Sequence, residues 1–152
     1  MEPLPKKLYL ELFKYVPRLV TDGVVVNKKN EVLLVKRKNP PFVGEWCLPG
    51  GFVKKGDTTE ATVEREVFEE TGIRAKIVNL SGVYSDPKRD PRGHIVTVAY
   101  LMKPINSEKD NTKTKDSSET SSAIFVQLKK LPKLITDHNK IVADAIKILN
   151  AI

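Results

Sequence analysis

Gly51–Ile73 reads GFVKKGDTTEATVEREVFEETGI, and this stretch decides the fold. Asp57-Thr58-Thr59-Glu60 offers an N-cap side chain with an acid three residues on, a capping-box pattern, and Gly72 stands where a left-handed C-cap glycine belongs. A helix is therefore predicted over about residues 58–71, with Asp57 as its cap. Glu66 and Glu69 lie three apart and Glu66 and Glu70 four apart, so all three share one face. Carboxylates crowded in this way repel one another. Arg65 reaches Glu69 at i,i+4, and a hard divalent cation with oxygen ligands would neutralise the remainder. Taken alone, the helix also fits a merely solvated acidic face. The Pro49-Gly50-Gly51 turn and Gly56 tip the balance, because they let backbone pass close to the acidic face.

Outward from the helix, strands and turns alternate. Thr21–Val26 is a β-branched run that reads as a buried strand. Glu31–Arg37 reads as a second, across a turn at 27–30. Asn39-Pro40-Pro41 ends it, and Trp46-Cys47-Leu48 is a short strand running into the glycine pair. Further strands are predicted at about 73–84, 93–103 and 123–126, with a closing amphipathic helix over about 137–152. Residues 106–122 are polar and read as a surface loop. The first 18 residues fit either a short helix or an edge strand over Leu8–Val16. Strands and helices mixed in this way, over 152 residues, predict one α/β layered domain spanning 1–152.

The chain carries 26 Lys+Arg against 19 Asp+Glu, a formal net charge of +7. That surplus favours phosphate-bearing ligands, yet charge alone argues weakly for nucleic acid, which is not expected as a partner. A single cysteine, Cys47, excludes an intrachain disulfide and points to a reducing compartment. Flanked by Trp46 and Leu48, it reads as a small buried hydrophobe. No run of 18 apolar residues occurs and the N-terminus lacks the order of a signal peptide, so no membrane association and a cytoplasmic location are expected.

The stretch 51–73 resembles the Nudix box: Gly, five residues, Glu, seven residues, then Arg-Glu-apolar-x-Glu-Glu-x-Gly-apolar. Gly51, Arg65, Glu66, Val67, Glu69, Glu70, Gly72 and Ile73 match eight of the nine defined positions. The resemblance extends to Trp46-x-Leu48-Pro49-Gly50-Gly51 before the box and to about residues 19–150 in all. Pro87, about fifteen residues past the box, and the segment Arg89–His94 resemble the ADP-ribose pyrophosphatases of that family. The resemblance implies a Nudix-type α/β/α sandwich with a mixed central sheet. It implies a hydrolase that cuts a nucleoside diphosphate derivative at its phosphoanhydride, with Mg²⁺ as cofactor or Mn²⁺ in its place. Glu66, Glu69 and Glu70, with a backbone carbonyl of Gly50 or Gly51, would be the metal ligands. Glu69 would be ligand or base, and Arg65 would orient the carboxylates. Arg37 would hold a phosphate, and Trp46, Gly51, Pro87 and Arg89 complete the expected substrate contacts, with Phe42 a second stacking candidate. His94 and His138 are expected to be structural, His138 at a helix start.

Two departures stand out. Position 57 is Asp where the box has Glu, which fits a cap better than a ligand. The loop carboxylate common in related ADP-ribose hydrolases would fall at Ser121, with Glu119 and Glu108 as substitutes. The expected reaction is hydrolysis of ADP-ribose to AMP and ribose 5-phosphate. Its alternatives are clearance of oxidised nucleotides such as 8-oxo-dGTP, and a non-catalytic sensor, which the intact glutamates disfavour. Apolar residues within 8–20 offer a surface for a homodimer, and a monomer is equally consistent.

Overall fold

The computed structural model describes residues 4–105 and 120–152. After helix α1 (Lys6–Leu12), strand β1 (Arg18–Val25) and strand β2 (Glu31–Arg37) lead to the short β3 (Trp46–Cys47) and β4 (Gly50–Phe52). Helix α2 (Thr59–Thr71) is followed by β5 (Ala75–Tyr84), β6 (Ile95–Pro104), β7 (Thr120–Gln127) and helix α3 (His138–Ala151). Four strands form a mixed sheet in the order β4-β1-β6-β5, with β1 and β6 parallel and β4 antiparallel to β1. The other three form an antiparallel sheet, β3-β2-β7.

Strict alternation along the central strands builds two cores. Val25, Leu33, Val35, Tyr100 and Met102 point one way and pack with Val63 and Val67 of α2. Their neighbours Val24, Val26, Val32, Leu34 and Leu101 point the other way and pack with Ile141, Val142 and Ala145 of α3. Burial on both faces is why Val24–Val26 at the end of β1 and Val32–Val35 within β2 are continuous apolar runs and not apolar–polar alternations. Helix lies over both faces, and the α/β sandwich with a mixed sheet expected from the sequence is borne out. Cys47 is buried in the first core, and burial pushes its thiol far above the usual range, so it is an inert packing group.

Three expectations need correction, and one open choice between helix and strand is decided. The cap of α2 is Thr58, whose side chain accepts from the Ala61 N–H, and not Asp57. Thr58 has the extended backbone of an N-cap, with its side-chain oxygen aimed at the third helical N–H. Gly72 closes the helix in the left-handed region at φ 73°, as expected. Gly50 and Gly51 are not a turn but belong to strand β4, paired to Asp22 and Thr21 of β1. Of the two forms open to the first residues, Lys6–Leu12 takes the helix, as α1, which ends four residues before Val16 and buries none of its own residues. Finally, β7 begins at Thr120, inside the stretch read as a polar loop. Glu108 and Glu119 lie outside the described residues. Among the described residues, no helix is long and apolar enough to cross a membrane.

Candidate active site

Helix α2 presents its core stripe through Val63, Val67 and Glu70, spaced four and three apart, so Glu70 is carried to the inner edge of the helix and is buried. Glu66 sits one turn earlier with its side chain 13% exposed, and Glu69 stands outermost at 54%. The three box glutamates therefore form a gradient from interior to solvent, and the inner two, Glu70 and Glu66, meet β4. Glu70 Oε2 accepts from the Gly50 N–H at 3.0 Å. The Glu66 carboxylate lies so close over Gly51 that a Cβ there would sit 2.6 Å from Glu66 Cδ. At Gly50 a Cβ would meet the Thr21 carbonyl oxygen at 2.0 Å and Asp22 Oδ1 at 2.6 Å. The glycine pair is thus required by close approach on both sides of β4.

Arg65 provides the cation that the acidic face needs. Its guanidinium lies 2.8 Å from Glu66 Oε1, 3.4 Å from Glu69 Oε2 and 3.7 Å from Asp57 Oδ2. This is where Asp57 acts: it completes a ring of carboxylates around Arg65. Among the described residues, no three carboxylate, imidazole or thiolate groups stand together as a ready-made metal cage. The donor set still fits a hard cation, since it is all oxygen and Glu66 lies directly over the Gly51 backbone.

This helix edge and β4 border a cleft of about 600 Å³, within the range that holds a nucleotide-sized ligand. Arg37 and Lys54 line it, as do Arg18 and Phe52, which sequence reasoning missed. Arg37 lies at the end of β2, where Nε donates to the Pro41 carbonyl at 2.9 Å and a terminal nitrogen to that of Asn39 at 3.4 Å. Arg18 lies 3.2 Å over the Phe13 ring and 5.5 Å from those of Tyr9 and Phe52, so α1 is pinned beside the cleft by cation–π contacts.

Other expected contacts lie elsewhere. Trp46 packs on the α3-side core, with Lys36 Nζ 5.4 Å from its ring centroid, and Phe42 packs on the α2-side core. Neither lines the cleft, and exposed Pro87 does not either. Arg89 does, but its fork is engaged: Nε and a terminal nitrogen donate to the two carboxylate oxygens of Asp137 at 2.8 and 2.5 Å, and the other terminal nitrogen donates to Thr97 Oγ1 at 2.8 Å. Burial by itself would raise Asp137, but the bonds and charge of Arg89 outweigh it and hold the acid below the usual carboxylate range. Asp137 consequently makes no side-chain cap for α3.

The floor of the cleft holds a pair that sequence reasoning assigned no site role, Asp22 and His138. Burial raises Asp22, against the pull of His138 and Arg89, and burial lowers His138. His138 neither caps its helix nor stands apart from the site: its Nδ1 accepts from the Leu48 N–H at 3.1 Å, and its Nε2 faces Asp22 Oδ2 at 3.8 Å. His94 is exposed and meets the Ser85 carbonyl at 3.1 Å.

The family model of the NUDIX domain matches residues 16–146, most of the chain. The chain belongs to the Nudix family. Its α2 and β4 are the helix and glycine strand of the box, and it is a Nudix hydrolase. It is 44% identical over 138 residues to a protein of Methanocaldococcus jannaschii named ADP-ribose pyrophosphatase, covering 91% of this chain and 75% of the other. It is 32% identical over 117 residues to a Bacillus subtilis protein provisionally named 8-oxo-dGTP diphosphatase, covering 77% and 71%. The Nudix domain of Shewanella oneidensis NrtR, solved with ADP-ribose, superposes with a TM-score of 0.76 at 28% identity, over 96% of this chain and 99% of that one.

The close approaches at β4 carry a prediction for this Nudix hydrolase. Gly50→Ala is expected to push β4 off β1 and lower kcat/KM by about 100-fold, as an ångström of misplacement does in a reacting site. Steady-state kinetics beside a thermal melt of the same sample check it, and an active, normally melting variant would contradict the packing described.

Proposed function

We propose that this protein hydrolyses ADP-ribose to AMP and ribose 5-phosphate with Mg²⁺, or Mn²⁺ in its place. The observation that carries the reading is the set of three intact box glutamates, Glu66 and Glu70 against β4 and Glu69 beside them, at the edge of a cleft that Arg18, Arg37 and Lys54 also line. The 44% identity to an ADP-ribose pyrophosphatase supports this substrate over other nucleoside diphosphate derivatives. Glu66, Glu69 and Glu70 would hold the cation, which when bound neutralises the phosphoryl oxygens and promotes ionisation of water.

The chain's own groups do the rest. Lys54 and Arg37, bordering the cleft, attract the pyrophosphate, the arginine as a cation already positioned by the Pro41 and Asn39 carbonyls. Glu69, the most exposed of the three and paired with Arg65, would take the proton of the attacking water once that pairing opens, in place of holding the cation. The water oxygen bonds to phosphorus as the anhydride P–O bond breaks, leaving AMP and ribose 5-phosphate. Arg65 restrains Glu66 and Glu69 until the ligand arrives.

The Bacillus relative favours a second reading, removal of pyrophosphate from oxidised nucleoside triphosphates. Product analysis separates the two. With Mg²⁺, ADP-ribose is expected to give AMP at a kcat/KM at least about tenfold above that for 8-oxo-dGTP, a margin of about 1.4 kcal/mol. The reverse order, with pyrophosphate released, would select the second reading, and no turnover of either would sink both.

A further inference from the structure

The segment that presents the Gly50 N–H to Glu70 is held from two directions. On one side, Gly23 N donates to the Pro49 carbonyl at 2.8 Å, and Asp22 pairs with Gly50 across β1 and β4. On the other, the chain just before α3 reaches over: Ile135 N donates to the Trp46 carbonyl at 3.1 Å, and Leu48 N donates to His138 Nδ1 at 3.1 Å. Residues 46–50 therefore cross between the two sheets with polar clamps at Trp46, Leu48, Pro49 and Gly50. The last bond in this series is Gly50 N–H to Glu70 Oε2.

His138 supplies the clamp that has no backbone substitute. The Leu48 N–H points at Nδ1, so the neutral ring carries its proton on Nε2, on the side of Asp22. Asp22 is in turn braced by Thr97 and by the charge of Arg89. Four groups that are costly to bury, Asp22, Arg89, Asp137 and His138, are thus spent beneath one short segment. Apolar packing would have held that segment against the core at lower cost. What a polar brace adds is a fixed position.

We propose that His138, backed by Asp22, is a positioning residue for Glu70: through the Leu48 N–H it fixes residues 48–50, so that the Gly50 N–H holds the Glu70 carboxylate where it serves. The inference rests on Glu70 being a metal ligand, and it extends the site to a residue 68 positions from that glutamate in the sequence. Groups that orient a ligand in this way commonly change metal affinity or activity by 10- to 100-fold when removed.

The probe is Mn²⁺ alone, titrated into the full chain and read by the electron paramagnetic resonance of the free ion, beside kcat and KM for ADP-ribose. His138→Leu removes the acceptor and is expected to weaken Mn²⁺ binding about tenfold and lower kcat at least as much, with KM little changed. His138→Asn, whose Oδ1 can stand where Nδ1 stood, is expected to recover both to within about threefold. His138→Gln, whose amide reaches past that point, is expected to behave like the leucine variant. The asparagine–glutamine contrast decides the matter even where the leucine variant does not fold. Equal damage in the asparagine and glutamine variants, or Mn²⁺ affinity unchanged in all three, overturns the proposal. Glu70→Gln serves as the control. Loss of Mn²⁺ binding there with none at His138 overturns the positioning role alone, whereas unchanged binding there overturns the metal reading and the proposal with it.

Discussion

Glu70→Gln is expected to lower kcat for ADP-ribose by about 10³-fold while the protein melts within a few degrees of the parent. Glutamine keeps the shape of the side chain and an oxygen that can accept from the Gly50 N–H, so the 3.0 Å bond that seats residue 70 survives. What disappears is the negative charge. If that charge holds a cation against the pyrophosphate, its removal forfeits several kcal/mol of transition-state stabilisation, and about 4 kcal/mol is about 10³-fold. Glu69→Gln is expected to do less to Mn²⁺ affinity than to kcat, because Glu69 is exposed and already shared with Arg65. Kinetics and Mn²⁺ titration on the two variants check the difference. A fully active Glu70→Gln enzyme would remove residue 70 from the site altogether.

The helix that carries these glutamates was legible in the sequence for local reasons. Its start to within one residue, its left-handed glycine and its i,i+4 carboxylates are all read within a few turns of chain. The central strands were legible because burial on both faces leaves no polar alternation to confuse with a helix surface. Strand β4 was not. The two glycines of Gly50-Gly51-Phe52 disfavour a strand, and the segment becomes one by pairing with residues 20–22, about thirty positions earlier. The cap was misplaced by one residue because Asp57 and Thr58 are both good caps, and only the backbone shows which is used.

The floor of the cleft was hidden for another reason. His138 meets Leu48 across 90 residues and Arg89 meets Asp137 across 48, and neither pairing leaves a local pattern. A signal was present in a weaker form. Asp22 is an acid within the buried half of β1, and an acid placed there marks a point where other charges converge. Arg89 shows the opposite failure. An arginine in a cleft loop reads as a phosphate contact, yet here the fork is already filled by a carboxylate.

That filled fork makes the second large effect one of stability. Arg89→Met is expected to cost about 3–5 kcal/mol, because it strips a buried cation from Asp137 and leaves the acid uncompensated. For a chain of this size the melting temperature should fall by about 10 °C or more. The side chain of Arg89 is 5% exposed and that of Asp137 25%, so solvent screens little of the loss. The pH dependence gives a sharper check. In the parent, Asp137 is held below its unfolded value, so the folded state binds fewer protons than the unfolded one in the window below about pH 4. That stability is fully present above the window and lost as pH falls through the folded value. Without Arg89, burial dominates and raises the same acid. The variant then binds more protons when folded, and acid relieves its strain. Melting curves from pH 7 to pH 3 should therefore converge at the acid end. Asp137→Asn placed on top of Arg89→Met should recover part of the loss at pH 7 and flatten the difference. Parallel curves across the whole range would show that the pair is a surface ornament and that the floor of the cleft is held by packing alone.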